Sequence, residues 1–137
     1  MIKAFIDTNV LIDLLLEREG YKEAATILLC QKQKKCSLYV SSLTMANIAY
    51  ILRKKMRGAE FYDALDKLKA FFSIVDLSAS NVEAALTLQA SDFEDALQYF
   101  SAGNVKADMI VTRNEKDFYF SSIRIISPKD FVGEFDG

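Results

Sequence analysis

The apolar run Ala4-Phe5-Ile6 near the start of the chain stops abruptly on Asp7-Thr8-Asn9. A run of this kind reads as a buried strand, and open parallel sheets bind ligands beyond the carboxyl ends of their strands. Asp7 is therefore placed where chemistry would occur. The same residues also suit a helix start ahead of Val10-Leu11-Ile12, because Asp, Thr and Asn side chains accept hydrogen bonds from unpaired helix amides. On sequence alone both roles stay open for Asp7.

Downstream the segments alternate in a βα rhythm. Helices are expected over residues 10–17 and 21–32, followed by a strand at Ser37-Leu38-Tyr39-Val40-Ser41. A longer helix over 43–56 carries Met45, Ile48, Ala49, Leu52 and Met56 at the spacing of one buried stripe, and Gly58 is read as its end. Then come an amphipathic helix over 60–71, a strand over 73–77, and a helix over 80–90 that Ser78 or Ser80 could cap. A helix from Asp92 buries Phe93, Ala96, Leu97 and Phe100, Met109-Ile110-Val111-Thr112 is a short buried strand, and a last strand spans 123–126. Pro128 starts a terminal helical turn.

Repeated βα units without a linker imply an α/β fold, a three-layer α/β/α sandwich around a mostly parallel sheet of about five strands. With 137 residues, 51% of them hydrophobic and 26% charged, the chain 1–137 is expected to form a single domain. It has no apolar stretch of bilayer-spanning length and no secretory pattern at its start, so a cytoplasmic protein without a membrane partner is expected. Cys30 and Cys36 match neither a disulfide framework nor a zinc pair and read as ordinary small residues in a reducing compartment.

Histidine is missing altogether. That removes Ser-His and Cys-His catalysis, His-ligated zinc and the usual neutral-pH base, which leaves carboxylate chemistry. The net charge of −2 gives no global attraction for nucleic acid. Positive charge is nevertheless concentrated at Arg53-Lys54-Lys55-Met56-Arg57 and Lys32-Gln33-Lys34-Lys35. Such runs also arise as solvated helix ends that complement the C-terminal dipole.

The topology carries polar groups that are distant in sequence to one sheet edge. Asp7 ends the first strand, Asn47 lies in the early turns of the helix after the second, and Asp92, Glu94 and Asp95 begin the helix before the fourth. The fourth strand ends on Thr112-Arg113-Asn114, with Asp117 following. Asp92, Asp95 and Tyr99 fall at i, i+3 and i+7, opposite the expected apolar face. Two like charges at about 4 Å repel by about 4 kcal/mol at an effective dielectric of 20, so Asp7 beside these acids calls for a cation. Oxygen ligands favour magnesium or manganese over zinc. Helix capping by Asp92 and a dipole-favoured Asp95 is the alternative that needs no ligand.

Asp7-Thr8-Asn9 after a strand, Ser41-Ser42-Leu43 opening the long helix, Asp92-Phe93-Glu94-Asp95-Ala96 opening a late helix, and Val111 to Phe118 with Thr112-Arg113-Asn114 together resemble the PIN domain nucleases. The resemblance covers essentially the whole chain and is closest to the stand-alone bacterial proteins typified by the VapC toxins of toxin–antitoxin pairs. It implies a Mg²⁺- or Mn²⁺-dependent endoribonuclease in which acidic side chains hold a metal that activates water against an RNA phosphodiester.

Carried over by position, Asp7 matches the first family acid, Asp95 the acid before Ala in the late helix, and Asn114 or Asp117 the last acidic position. Asp7, Asp95, Asp92 and Asp117 are the implied metal ligands, and Asp7, Asp95, Asn47, Asn114 and Asp117 the implied catalytic set. Thr8 and Thr112 would orient these ligands on the substrate-facing side, Arg113 is a candidate for binding a phosphate, and Arg53 and Lys54 for contacting the RNA. One departure matters: the second family acid, a Glu, is replaced by Asn47, which brings no charge and cannot act as a base. Asp92 could supply the missing charge.

Implied partners are RNA, an antitoxin protein and a second copy in a homodimer. The second reading is a PIN-like module that binds RNA or a protein partner without turnover. A phosphatase with an aspartate nucleophile is disfavoured, because Asn9 stands where an Asp-x-Asp motif needs its second acid.

Overall fold

Along β1 (Lys3–Ile6) the side chains alternate between two buried layers, and that alternation sets the architecture. Ala4 and Ile6 face one core with Leu11, Ile27, Ile48 and Phe131, while Phe5 faces the other with Ala102, Ile110 and Phe118. A strand buried on both faces needs helices on both sides. The computed structural model, which describes residues 1–135, supplies them.

After β1 come α1 (Thr8–Leu15), α2 (Tyr21–Lys32), β2 (Ser37–Ser41), α3 (Ser42–Leu52), α4 (Gly58–Lys69), β3 (Ser73–Val75), α5 (Ala79–Leu88) and α6 (Phe93–Asn104). β4 (Met109–Val111), a 3-10 turn at Glu115–Phe118, β5 (Arg124–Ile126) and α7 (Pro128–Phe135) complete the described chain. The sheet order is β3-β2-β1-β4-β5 and every neighbouring pair is parallel. The expected α/β/α sandwich with a five-stranded parallel sheet is therefore what forms.

Strand order reverses at β1. From it the chain builds outward through β2 and β3 on one side and through β4 and β5 on the other. Such a switch point leaves a crevice beyond the strand ends, because the flanking helices diverge to opposite faces. The Asp7 amide donates to the Val111 carbonyl at 2.9 Å, which ties the end of β1 to the end of β4 at that point.

Several boundaries differ from the sequence expectation, each for a local reason. α1 begins at Thr8 because the Asp7 side chain accepts from the Thr8 amide and caps it. α3 stops at Leu52, so Arg53 to Arg57 lie in the turn after it. Like charges three and four residues apart disfavour further helix there, although Met56 still packs against the core. Gly58, at φ +58°, opens α4 and does not close α3. In α6 the buried stripe is Asp95, Ala96, Leu97, Gln98, Ser101 and Ala102, and Phe93 is exposed. That stripe is rotated from the one expected, because Ala102 packs in the cluster of Phe5 and Ile110.

Ser78 caps α5 in a reciprocal arrangement. Its hydroxyl accepts from the Asn81 amide at 3.2 Å, and the Asn81 side chain accepts from the Ser78 amide at 3.0 Å. Ser78→Ala should therefore cost about 1 kcal/mol. In urea unfolding this reads as a lower midpoint with an unchanged slope.

Candidate active site

The Asp7 carboxylate is only 4% exposed, and four donors surround it. Its Oδ1 accepts from the Thr8 amide at 2.9 Å and from Gln98 Nε2 at 3.2 Å. Its Oδ2 accepts from Thr112 Oγ1 at 2.8 Å and from Asn9 Nδ2 at 3.2 Å. A carboxylate has about four lone-pair sites, so these donors hold it in a fixed orientation. Capping and a buried site are thus both realised in this one residue.

A second ring of contacts fixes the donors. Gln98 Nε2 also reaches Thr44 Oγ1 at 2.8 Å and Thr8 Oγ1 at 3.1 Å, and the two threonine hydroxyls lie 2.7 Å apart. Ser41, which caps α3, donates to Gln98 Oε1 at 2.5 Å. Thr112 Oγ1 accepts from the Asn114 amide at 3.1 Å, which starts the loop after β4. The ends of β1, β2 and β4 and the beginnings of α1 and α3 are joined to α6 through one buried polar network. Gln98, Ser41 and Thr44 were missed in the sequence. The signal for Gln98 was its place one turn after Asp95 and beside the buried Ala96 and Leu97.

Above this network lies a cleft of about 340 Å³ lined by Asp7, Thr8, Asn9, Ile12, Asn47, Tyr50, Ile51, Asp92, Glu94, Asp95 and Asn114. Of the expected catalytic residues, Asp7, Asp95, Asn47 and Asn114 meet there. Asp117 does not, since it lines a neighbouring groove with Arg113, Glu115 and Lys116. Asp92 lines the cleft while its side chain caps α6, accepting from the Asp95 amide at 3.0 Å. Tyr99 turns away from both acids, packs on Phe120 and bonds to Ser122.

Thr112 is fully buried and offers no surface to a ligand, whereas Thr8 is nearly buried yet lines the cleft; both donate to Asp7, as the orienting role expects. Arg113 does not line the cleft: its Nε pairs at 3.3 Å with the buried Asp13 of α1. Arg53 and Lys54 do not line the cleft either, but their cationic groups sit 4.1 Å and 5.3 Å from the ring centroid of Tyr50, which does.

Charge dominates the cleft. Burial raises the pKa of Asp7, and the donors from Thr112, Gln98 and Thr8 only partly offset it. Asp95 is pushed up to about 7, first by burial and then by the charges of Asp7, Asp92, Asp117 and Glu94. Glu94 was also missed in the sequence as a site residue. It enters through Asn47, whose Nδ2 donates to Glu94 Oε1 at 2.5 Å.

Among the described residues no three His, Cys, Asp or Glu side chains form a group that could hold a metal ion on their own. Of the four expected metal ligands, Asp7, Asp95 and Asp92 line the cleft, with Asp92 also capping α6, while Asp117 lines the neighbouring groove and still acts on Asp95 through its charge. The donors present still fit a hard cation in kind. All are oxygens, and Mg²⁺ is commonly held by one or two carboxylates with water and substrate phosphate completing its shell.

Residues 3–116 match the family model of the PIN domain, and the chain belongs to that family. Among solved structures it is similar in fold to VapBC-1 from nontypeable Haemophilus influenzae, with 13% identity, a TM-score of 0.69, and 93% of this chain and 99% of that one covered. VapBC2 from Rickettsia felis, bound to a DNA fragment from its promoter, is 19% identical with a TM-score of 0.66, covering 92% and 98%. A toxin–antitoxin complex from Klebsiella pneumoniae is 24% identical with a TM-score of 0.65, covering 91% and 97%. No curated protein matches the chain.

Ionisation of Asp95 should weaken the fold in a defined window. The unfolded carboxyl loses its proton near 3.8, while the folded one keeps it to about 7. The native state thus binds more protons between those values, and stability falls as pH rises through them. Asp95→Asn removes this loss. In chelator, chemical denaturation should show the variant gaining on the wild type from about pH 4 to about pH 7, then holding a constant advantage.

Proposed function

We propose that this chain is a metal-dependent endoribonuclease, a single PIN domain that acts as the toxin of a toxin–antitoxin pair. The observation that carries this reading is the pair of buried carboxylates, Asp7 and Asp95, facing one cleft at the switch point of the sheet. Family membership supports nuclease chemistry. The similar structure from Klebsiella is a toxin–antitoxin complex and those from Haemophilus and Rickettsia are VapBC-1 and VapBC2, which supports an antitoxin partner. Among the described residues no helix is long and apolar enough to cross a membrane.

Mg²⁺ or Mn²⁺ would be held by Asp7 and Asp95, where it would lower the pKa of a bound water and neutralise charge on the phosphate. The chain's own residues do the rest. The Thr8, Asn9, Gln98 and Thr112 donors keep Asp7 aimed at the cleft, so no reorganisation is needed when substrate enters. Asn47 and Asn114 line the same cleft with neutral amides, which present oxygen and N–H groups to a phosphate but accept no proton. Arg53 and Lys54, stacked on Tyr50, extend a positive rim along which the RNA backbone would run.

RNA cleavage should appear with Mn²⁺ or Mg²⁺, stop on chelation, and fall by about a hundredfold or more in Asp7→Asn and in Asp95→Asn. A gel assay on labelled RNA measures it. Cleavage that survives chelator or both substitutions contradicts the assignment, and tight RNA binding without cleavage favours the binding-module alternative. In the double variant Arg53→Gln, Lys54→Gln, the salt dependence of RNA binding should flatten by about 0.7 for each phosphate that the protein no longer neutralises. Mn²⁺ affinity should not change.

A further inference from the structure

We propose that the pocket around Asp13 is a binding site for an organic cation that carries N–H donors, a guanidinium or primary ammonium group. The pocket lies between α1, the start of α2 and the start of α7, has a volume of about 320 Å³, and shares no lining residue with the acidic cleft. Pockets that take small ligands begin at about 300 Å³, so the space suits one side-chain head or a small molecule.

Two observations point to such a ligand. The first is an unpaired buried acceptor. Asp13 interrupts the apolar run of α1, its side chain is only 4% exposed, and its Oδ1 is the one buried side-chain oxygen or nitrogen without a hydrogen-bond partner among the described residues. Buried polar atoms are paired in the large majority of cases, and an ionised carboxylate oxygen can be paired only by a donor. Anchoring Arg113 does not account for this atom. That ion pair runs from Arg113 Nε to Oδ2 at 3.3 Å, whereas a carboxylate that serves a guanidinium alone commonly engages it with both oxygens. Burial raises the pKa of Asp13, and the charges of Arg113 and Arg18 only partly offset the shift.

The second observation is the charge and shape of the walls. Glu19 and Glu23 also line the pocket, and neither side chain has a hydrogen bond or ion pair among the described residues. Against these carboxylates stand Arg113, already engaged on Oδ2, and the exposed Lys129. The surplus is negative, which selects a cation. Among the described residues no three acids group closely enough to hold a metal ion, so the ligand is one that brings its own N–H donors to Oδ1. Gly20, at φ +93°, keeps the approach open, since a β-carbon there would already sit 3.8 Å from Asp13 Oδ2.

The experiment titrates ethylguanidinium, and separately a blocked peptide with a single arginine, into the isotope-labelled protein while NMR follows the backbone amides. Tetramethylammonium serves as a cation without N–H donors. Saturable shifts are expected at Asp13, Gly20 and Glu23 with ethylguanidinium and none there with tetramethylammonium. Asp13→Asn and Glu23→Lys should each weaken binding about tenfold or more, the worth of one hydrogen bond to a charged group. Circular dichroism verifies folding, and Glu23→Lys, which alters a side chain without partners, decides the matter if Asp13→Asn unfolds. Tighter binding of the peptide than of ethylguanidinium assigns the site to a basic side chain of a partner protein, and equal binding assigns it to a free small cation. Shifts confined to the acidic cleft, equal shifts with tetramethylammonium, or no saturation overturn the proposal and leave Oδ1 to water alone.

Discussion

The hydrogen bonds that fill the Asp7 carboxylate hold this edge of the molecule together. They come from the first turn of α1, from α6 and from the residue after β4, and they converge on the end of the central strand. Each donor is fixed in turn by Ser41, Thr44 or the loop after β4. Loss of one donor would leave polar groups unpaired in a dry layer, where each costs about 1–3 kcal/mol. The network holds a carboxylate in the interior, where burial raises the pKa of Asp7 and the Thr112, Gln98 and Thr8 donors only partly offset the shift. Positive charge from outside the chain is the remaining compensation.

The supply of negative charge around that position is uneven. α3 contributes only the Asn47 amide and the loop after β4 the Asn114 amide, while the start of α6 contributes Asp92, Glu94 and Asp95. A helix N-terminus is the place where such a concentration is least costly, because its dipole favours anions by about 0.3–1 kcal/mol each. The acids of the cleft thus gather at the start of α6, where the Asn47 amide bonds to Glu94. Arg53 and Lys54 lie over the ring of Tyr50, a residue of the cleft wall, and do not line the cleft themselves.

The fold was legible because its signals are local. Buried strands such as Ala4-Phe5-Ile6 and Met109-Ile110-Val111 carry their own apolar density, and βα alternation permits few topologies. Asp7, Asn47, Asp95 and Asn114 could be assigned to one edge because parallel strands all end there. What could not be read depended on partners far away in sequence. Glu94 points into the cleft only because Asn47 holds it, and Gln98 becomes a polar hub only because Ser41 and Thr44 arrive from another element. Arg113 was expected at the cleft, yet Asp13, buried in α1, captures its guanidinium. Helix ends shifted for a similar reason: the apolar stripe runs to Met56, but the charge run from Arg53 ends α3 at Leu52.

Joint binding of a divalent cation by Asp7 and Asp95 is tested most directly in a crystal soaked in Mn²⁺ and measured at the manganese absorption edge. One anomalous peak is expected in the cleft, within coordination distance of carboxylate oxygens from both residues. An anomalous peak elsewhere with both carboxylates unchanged, or no peak at saturating Mn²⁺, would contradict it.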